Sequence, residues 1–566
     1  MATAEERSAG KAEEAAVDGL EQLLDAVGAM GRWQLRALGA IAVFCMSMGG
    51  VMMAPAFYQI TPPFHCVPHR CLLERTHWSA QQLLNVTSTV DQDGNKNECS
   101  YYDIDYCRLP SNYDEAVTVA RRMNERNNAT VSKCTEWRYD TSIDMTATAA
   151  TQYNLVCDNR LGFETSQASM FFGFTLGGLV GGTLSDRFGR KRTIVAFSLF
   201  VSAIACGLPF SPSFSVFVVG RAAVGFFGSS AVIVAFSAAM ELTTARYRTL
   251  LGGMYFLPMA IGYMATPAVA YLLRDWRWMH LAVALPLWTS LAFIPLLPES
   301  PRWLLATNRA TRAEWELRGA ARVNGREFPD HVDFDSIADD VRGTTAEDSA
   351  SSILGIFKLT NGFRLAYPRL LSRALVMGAI WIISSMCYYG ILLNISNYSG
   401  DRFLNNALSG AIEIPSYLLA PFLMKWSRKK SLFLTSAMAG LSLVASPLIP
   451  PKMQWLKMTL IMTGRLTNTL ACALVYPITS EIYPTVIRSS GVTASSSVAR
   501  IGSALGPYLS AIPKFDSSLS WLPDTAFGSF SVLAAALALT LPETRGRRLP
   551  NVMEDGERLV KLREGA

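Results

Sequence analysis

Apolar runs long enough to cross a bilayer recur about twelve times along the chain, which narrows the fold to a bundle of membrane helices, because in lipid each spanning segment must pair its own backbone groups. They fall near 36–58, 163–184, 193–209, 213–237, 250–273 and 281–298, and after a polar stretch near 373–394, 404–424, 431–449, 457–479, 491–512 and 524–542. Composition agrees: half of the 566 residues are hydrophobic and 17% are charged. The mean hydropathy is +0.22, well above that of ordinary soluble enzymes of this length.

The net charge of +6 matters less than where Lys and Arg lie. Basic clusters follow the second run (SDRFGRKR, 185–192), the fourth (ARYR, 245–248), the eighth (KWSRKK, 425–430) and the twelfth (ETRGRRL, 543–549), all on one face. That face is expected to be cytoplasmic, with both termini inside. The clusters are short and interleaved with spans, which argues against a nucleic-acid partner and leaves the lipid bilayer as the surrounding medium. Residues 4–33, AEERSAGKAEEAAVDGLEQLLDAVGAMGRW, are too polar for a cleavable signal, so the first span is expected to direct insertion. VDGLEQLLDAVGAMG within them has helical apolar spacing and is expected to lie as a short amphipathic helix along the inner surface. The expected layout is a cytoplasmic segment 1–35, a six-helix bundle 36–298 containing an extracellular loop 59–162, a cytoplasmic stretch 299–370, a second bundle 371–542 and a tail 543–566.

Six of the ten cysteines, Cys66, Cys71, Cys99, Cys107, Cys134 and Cys157, lie in the loop after the first span. On the non-cytoplasmic side they read as a disulfide framework of open connectivity. HCVPHRC at 65–71 is a weaker zinc candidate, its spacing matching no standard zinc pattern, and no metal site is expected. Asn85 and Asn128 head glycosylation sequons in the same loop.

The two groups of six repeat each other at an offset of about 240 residues. SDRFGRKR answers to KWSRKK, GRAAVGF with Arg221 to TGRLTN with Arg465, and ELTTARYR to SEIYPTVIR, with Glu241 and Arg248 in register with Glu481 and Arg488. PESPRW, with Glu299 and Arg302, answers to PETRGRR, with Glu543. Parallel six-helix repeats are the architecture of rocking carriers with a site between the halves. Asp186, Arg190 and the repeated acids are expected to form modest ion pairs that bias a conformational equilibrium, with Arg187, Lys191 and Arg192 serving topology. Gly173, Gly177 and Gly181, and Gly502 and Gly506, are spaced for close helix approach.

These motifs, together with VGAMGRWQ, NLVCD, RDWRW, PESPRWLL, IEIPSYL, EIYPTVIRSSG and LPETRG, make the chain resemble, over nearly its whole length, the organic cation, carnitine and organic anion transporters of the major facilitator superfamily. The resemblance implies an all-α fold of twelve transmembrane helices in two pseudo-symmetric six-helix bundles. It also implies alternating-access movement of a small organic ion through a central cavity, at the plasma membrane.

Three intramembrane charges bear on the cargo. A guanidinium at bilayer depth costs about 2.5 kcal/mol or more and persists where it meets a partner or a wet path. Arg500, in SSVARIGSALGPYLSAI, stands where cation carriers of the family have an aspartate and where anion and carnitine-type carriers have an arginine, so the resemblance makes it a carboxylate anchor. Its planar fork suits that role. Glu413, inside GAIEIPSYL, stands where the resembling cation and carnitine carriers also have a glutamate; it either joins Arg500 in a cavity for a zwitterion, merely neutralises Arg500, pairs structurally with Arg465, or carries a proton. Trp381, Tyr388, Tyr389 and Tyr255 would wall the cavity for the organic body of the substrate. Ser229 and Val232 replace the polar and aromatic pair of some cation carriers, and Arg221 reads as structural or gating. Rival functions are an organic cation carrier and a non-transporting receptor on the same fold. No phosphate loop or nucleophile triad is present and only five histidines occur, so neither an enzyme nor an ATP-driven pump is expected. No cofactor is expected, and sodium or protons are the possible coupling ions.

Overall fold

In a computed structural model of the protein, residues 19–66, 80–90, 96–127, 130–140, 145–329, 332–339, 341–342, 367–398, 400–484, 487–545, 550 and 556–557 are described. The twelve expected spans form as helices. The first six are Arg32–Met53, Gly162–Phe188, Arg190–Gly207, Phe214–Glu241, a fifth made of Ala245–Met254 and Leu257–Leu272, and Trp276–Leu291. The second six are Pro368–Asn394, Arg402–Trp426, Arg428–Ala445, Gln454–Ile482, Arg488–Ser510 and Leu522–Thr540.

Among the described residues, ten helical segments are long and apolar enough to cross a membrane on that ground alone. The sixth span is apolar but short, at 16 residues, whereas the eleventh is rich in serine and holds Arg500, so the one falls short in length and the other in hydropathy. Breaks in the first and fifth spans follow proline. Pro55 opens the short helix Pro55–Tyr58, and Pro258 sits in the first turn of Leu257–Leu272, positions at which a missing N–H is harmless.

Close packing follows the glycine spacing. A Cβ at Gly173 or Gly177 would lie 2.0 or 2.1 Å from the carbonyl oxygens of Ala222 and Phe226, so only glycine lets the second and fourth spans touch through their backbones. Gly502 repeats the arrangement between the eleventh and seventh spans, 2.0 Å from the Ile382 carbonyl oxygen.

After the first span the described residues of a small lobe form two antiparallel sheets. Phe64–Cys66 pairs with Trp137–Tyr139, and Lys96–Tyr102 runs between Ser88–Val90 and Val131–Lys133. Disulfides Cys66–Cys134 and Cys99–Cys157 tie it together, the second anchoring the lobe at the entry to the second span. Cys107 is also disulfide-bonded, Cys71 lies outside the described residues, and Cys45, Cys206, Cys387 and Cys472 are free thiols. Among the described residues the core of the lobe gathers around Val86, Ile104, Tyr106 and Ala120, and the cross-links add to its stability.

At the opposite, basic end the helix Gly19–Ala26 differs from its expected place along a lipid surface. Leu20, Leu23 and Leu24 are buried against Trp303, Leu304 and Leu317, on the helices Pro301–Ala306 and Ala310–Asn324. Protein rather than lipid covers its apolar stripe. Asn324 fixes the junction by donating to the Val27 carbonyl (2.8 Å) and accepting from the Trp33 N–H (2.8 Å).

Candidate functional site

Two mirrored clasps close the basic ends of the halves. In the first, Gly189 breaks the chain with φ +102° and the third span starts with the Arg190 N–H donating to Glu299 (2.8 Å), joined by the Lys191 N–H (3.1 Å). A carboxylate at a helix N-terminus satisfies orphan donors and meets the positive end of the dipole. The Arg190 side chain forks onto Glu241 (2.9 Å) and also pairs with Asp186 (2.9 Å). In the second half the Arg428 N–H donates to Glu543 (3.1 Å) and its guanidinium to Glu481 (3.2 Å). Ser427 and Thr544 hydroxyls complete it by donating to Glu543 and Glu481. Burial raises the Glu543 pKa, but the Ser427 hydroxyl and the backbone N–H groups of Arg545, Arg428 and Lys429 outweigh it and hold the carboxyl below its ordinary value of 4.5.

Arg428 was not among the sequence candidates. The repeat offset of about 240 residues sets it opposite Arg190, a signal that the basic cluster KWSRKK masks. Arg248 pairs with Glu21 (2.6 Å) and donates to the Met240 carbonyl (3.0 Å), while Arg488 donates to the Tyr483 carbonyl (3.4 Å). Arg302 is half-buried in the first turn of Pro301–Ala306. The charge pairs of the clasps therefore lock helices within each half.

In the middle of the second half, Arg465 and Glu413 pair at 2.6 Å with both side chains 1% exposed. The guanidinium also donates to Ser409 (2.7 Å) and the Tyr388 carbonyl (3.2 Å), and the Tyr388 hydroxyl donates to Glu413 (2.5 Å). Of the partners that the sequence left open for Glu413, the structure supplies Arg465.

Arg500 is placed differently. It is half-buried, its guanidinium lies 5.1 Å from the ring centre of Phe174 on the second span, and no carboxylate pairs with it among the described residues. Tyr389 and Tyr476 are its electrostatic neighbours. Tyr389 packs edge-on to Phe171 (4.5 Å), carrying the cluster across the boundary between the halves, and Tyr476 packs edge-on to Trp381 (4.4 Å). The Trp381 indole N–H donates to Thr479 (2.9 Å). Tyr255 is remote from this cluster in its bonding, donating to the Val232 carbonyl (2.7 Å) and packing on Phe236 and Phe256. Sequence reading missed Phe174 and Tyr476. Tyr476 follows Arg465 by about three helical turns and so shares its face, a usable signal, whereas nothing in MFFGF marks Phe174.

At the lobe end the halves meet directly. Lys514 pairs with Glu164 (2.8 Å), and Arg160 donates to the Lys514 carbonyl (3.1 Å) while its guanidinium lies 3.8 Å from the Phe515 ring centre. The Ser396 hydroxyl donates to the Ala56 carbonyl (2.7 Å), and Phe57 stacks on Phe403 (5.7 Å). In the lobe itself, Asn85 is exposed and donates to the Tyr113 hydroxyl (2.7 Å); Asn128 lies outside the described residues.

Comparison with known proteins agrees with this architecture. The sugar (and other) transporter family matches residues 128–555. An organic cation transporter protein of Drosophila melanogaster is 31% identical over 549 residues, spanning 96% of this chain and 95% of its own. The human organic cation/carnitine transporter 2 is 33% identical over 422 residues, 74% of this chain and 73% of its own. For the fold alone, a partially occluded inward-open structure of the E. coli xylose transporter XylE superposes with a TM-score of 0.57 at 16% identity, over 91% of this chain and all of that one. Mirrored clasps, paired six-helix halves and relatives matched almost end to end agree: the chain belongs to the organic cation, carnitine and organic anion transporters of the major facilitator superfamily.

Proposed function

We propose that the protein carries a small organic carboxylate, or a zwitterion such as a carnitine-like betaine, with Arg500 as the anchor of the carboxyl group. The observation that carries this reading is the contrast between two intramembrane arginines. Arg465 is enclosed and neutralised by Glu413, while Arg500 faces the boundary between the halves with no acid on it among the described residues. With Glu413 spent on Arg465, the three charges sum to one positive charge, and it sits on Arg500. A planar guanidinium takes a carboxylate through two parallel hydrogen bonds. Tyr389, Tyr476 and Phe174 offer apolar faces for the body of the solute, and aromatic faces also attract a quaternary amine.

The contacts at the lobe end give this conformation a closed outer gate, with Lys514 and Glu164 as its ion pair. The basic ends are assigned to the cytoplasm with both termini, and the lobe, with a glycan on Asn85, to the exterior of the plasma membrane. A second reading, transport of organic cations, is favoured by the name of the Drosophila relative. A competition panel of labelled carnitine, organic anions and organic cations on one expressing cell line decides between them. Uptake of carboxylates or carnitine that unlabelled carboxylates inhibit supports the proposal, and uptake of tetraethylammonium indifferent to carboxylates refutes it.

A further inference from the structure

The first half holds a second enclosed arginine, and its surroundings differ from those of its mirror partner. Arg221, in the fourth span, is 0% exposed. Its repeat counterpart Arg465 has Glu413, but the side chain that meets Arg221 is the neutral amide of Gln167, whose oxygen accepts from Nη2. Nε and Nη1 have no hydrogen-bond partner. Two further polar groups converge here from other elements. The hydroxyl of Tyr58, at the end of Pro55–Tyr58, approaches the guanidinium without reaching hydrogen-bond geometry. His280, on the sixth span, is also an electrostatic neighbour of Arg221, and its ring approaches the Ala205 carbonyl without hydrogen-bonding to it.

Tyr58 lies 5.6 Å from His280 and 5.3 Å from Trp276 between ring centres, and Trp276 packs edge-on to Phe217 at 5.9 Å. Tyr58, Phe217, Trp276 and His280 are all 0% exposed. The arrangement gathers a permanent positive charge, two unused guanidinium nitrogens, a phenol hydroxyl and an imidazole inside an aromatic wall, with no carboxylate pairing to Arg221 among the described residues. A buried charge of this kind needs an opposite charge, and buried donors need an acceptor.

We propose that Arg221, Tyr58 and His280 form a binding site for a small inorganic anion of the halide class, separate from Arg500. A monatomic anion accepts hydrogen bonds from any direction, so it meets guanidinium, phenol and imidazole donors at once. Sealing of the group by fully buried rings suits an ion of that size and excludes an organic carboxylate. Such an ion would neutralise Arg221 as Glu413 neutralises Arg465, giving each half one compensated arginine.

The test uses the full chain, purified in detergent, with chloride titrated against methanesulfonate, which carries no carboxylate, at constant ionic strength and the melting temperature as readout. The wild type is expected to gain stability in a saturable way. Tyr58→Phe and His280→Phe each remove one donor without removing the buried charge, and are expected to raise the half-saturating chloride concentration about tenfold or more, the loss of a hydrogen bond to a charged group. Arg500→Ala is expected to leave it unchanged. Indifference of the wild type to chloride overturns the proposal, as does chloride stabilisation that survives in both aromatic variants or vanishes in Arg500→Ala. None of these outcomes depends on which organic solute is carried.

Discussion

Replacing Glu413 by Gln tests whether its pair with Arg465 is a structural element of the second half. Both side chains are 1% exposed, so neither charge can turn to solvent when the other is removed. Breaking a buried pair by deleting one partner typically costs about 3–5 kcal/mol, because the survivor stays buried and uncompensated. In Glu413→Gln the amide oxygen still accepts from Tyr388, and Arg465 keeps Ser409 and the Tyr388 carbonyl, so the loss is that of charge at a retained hydrogen bond, about 1.5–3 kcal/mol. Arg465→Met strands the carboxylate and is expected near the upper figure of about 5 kcal/mol. The double variant removes both charges together, so its loss falls short of the sum of the singles by about 2–3 kcal/mol. Equilibrium unfolding in mixed micelles, followed by tryptophan fluorescence, measures the three differences. Additivity within about 0.5 kcal/mol would show that the two groups do not compensate each other and refute the reasoning.

Three further outcomes follow from the two ends of the molecule. Arg428→Gln frees Glu481 from a partly buried pair within the second half worth about 1 kcal/mol, so the melting temperature is expected to fall by about 2 °C; an unchanged melting temperature would remove this pair from the clasp. Lys514→Ala leaves Glu164, whose side chain is 8% exposed, without its cation and loosens the lobe end, so Ser396→Cys, at a position 2% exposed and bonded across the halves, is expected to react several-fold faster with an impermeant maleimide added from outside; an unchanged rate counts against the gate. The depressed pKa of Glu543 means that its hydrogen bonds stabilise the fold above the ordinary value of 4.5 and are lost as pH falls through the lower folded value. Melting temperature recorded from about pH 6 to about pH 3 should fall less steeply in Glu543→Gln than in the wild type, and parallel curves would contradict that assignment.

The helices and their pairing into halves were legible because lipid imposes one simple rule of length and polarity, and because the chain states its motifs twice. The register of Glu241 with Glu481 and of Glu299 with Glu543 carried over into matched contacts on Arg190 and Arg428. Gly173 and Gly502 announced close helix contacts through spacing alone. Less legible was which charge meets which. Glu413 lies 52 residues from Arg465, and only the packing of the eighth span on the tenth decides that Arg465 reaches it. The amphipathic stripe of Gly19–Ala26 identifies a helix with one apolar side, but periodicity says nothing about whether lipid or the helix Ala310–Asn324 covers that side. Phe174 gave no signal because an aromatic on an apolar helix looks the same whether it faces lipid, core or cargo.

The most direct test of Arg500 compares two forms of one solute. Uptake of a labelled carboxylate and of its methyl ester, which differ only in the charge offered to the guanidinium, is measured in cells expressing the wild type and Arg500→Ala. The account requires that Arg500→Ala lower carboxylate transport about tenfold or more, the loss of a charge-assisted hydrogen bond, while ester transport changes little. Equal losses for both forms, or undiminished carboxylate uptake in the variant, would contradict it.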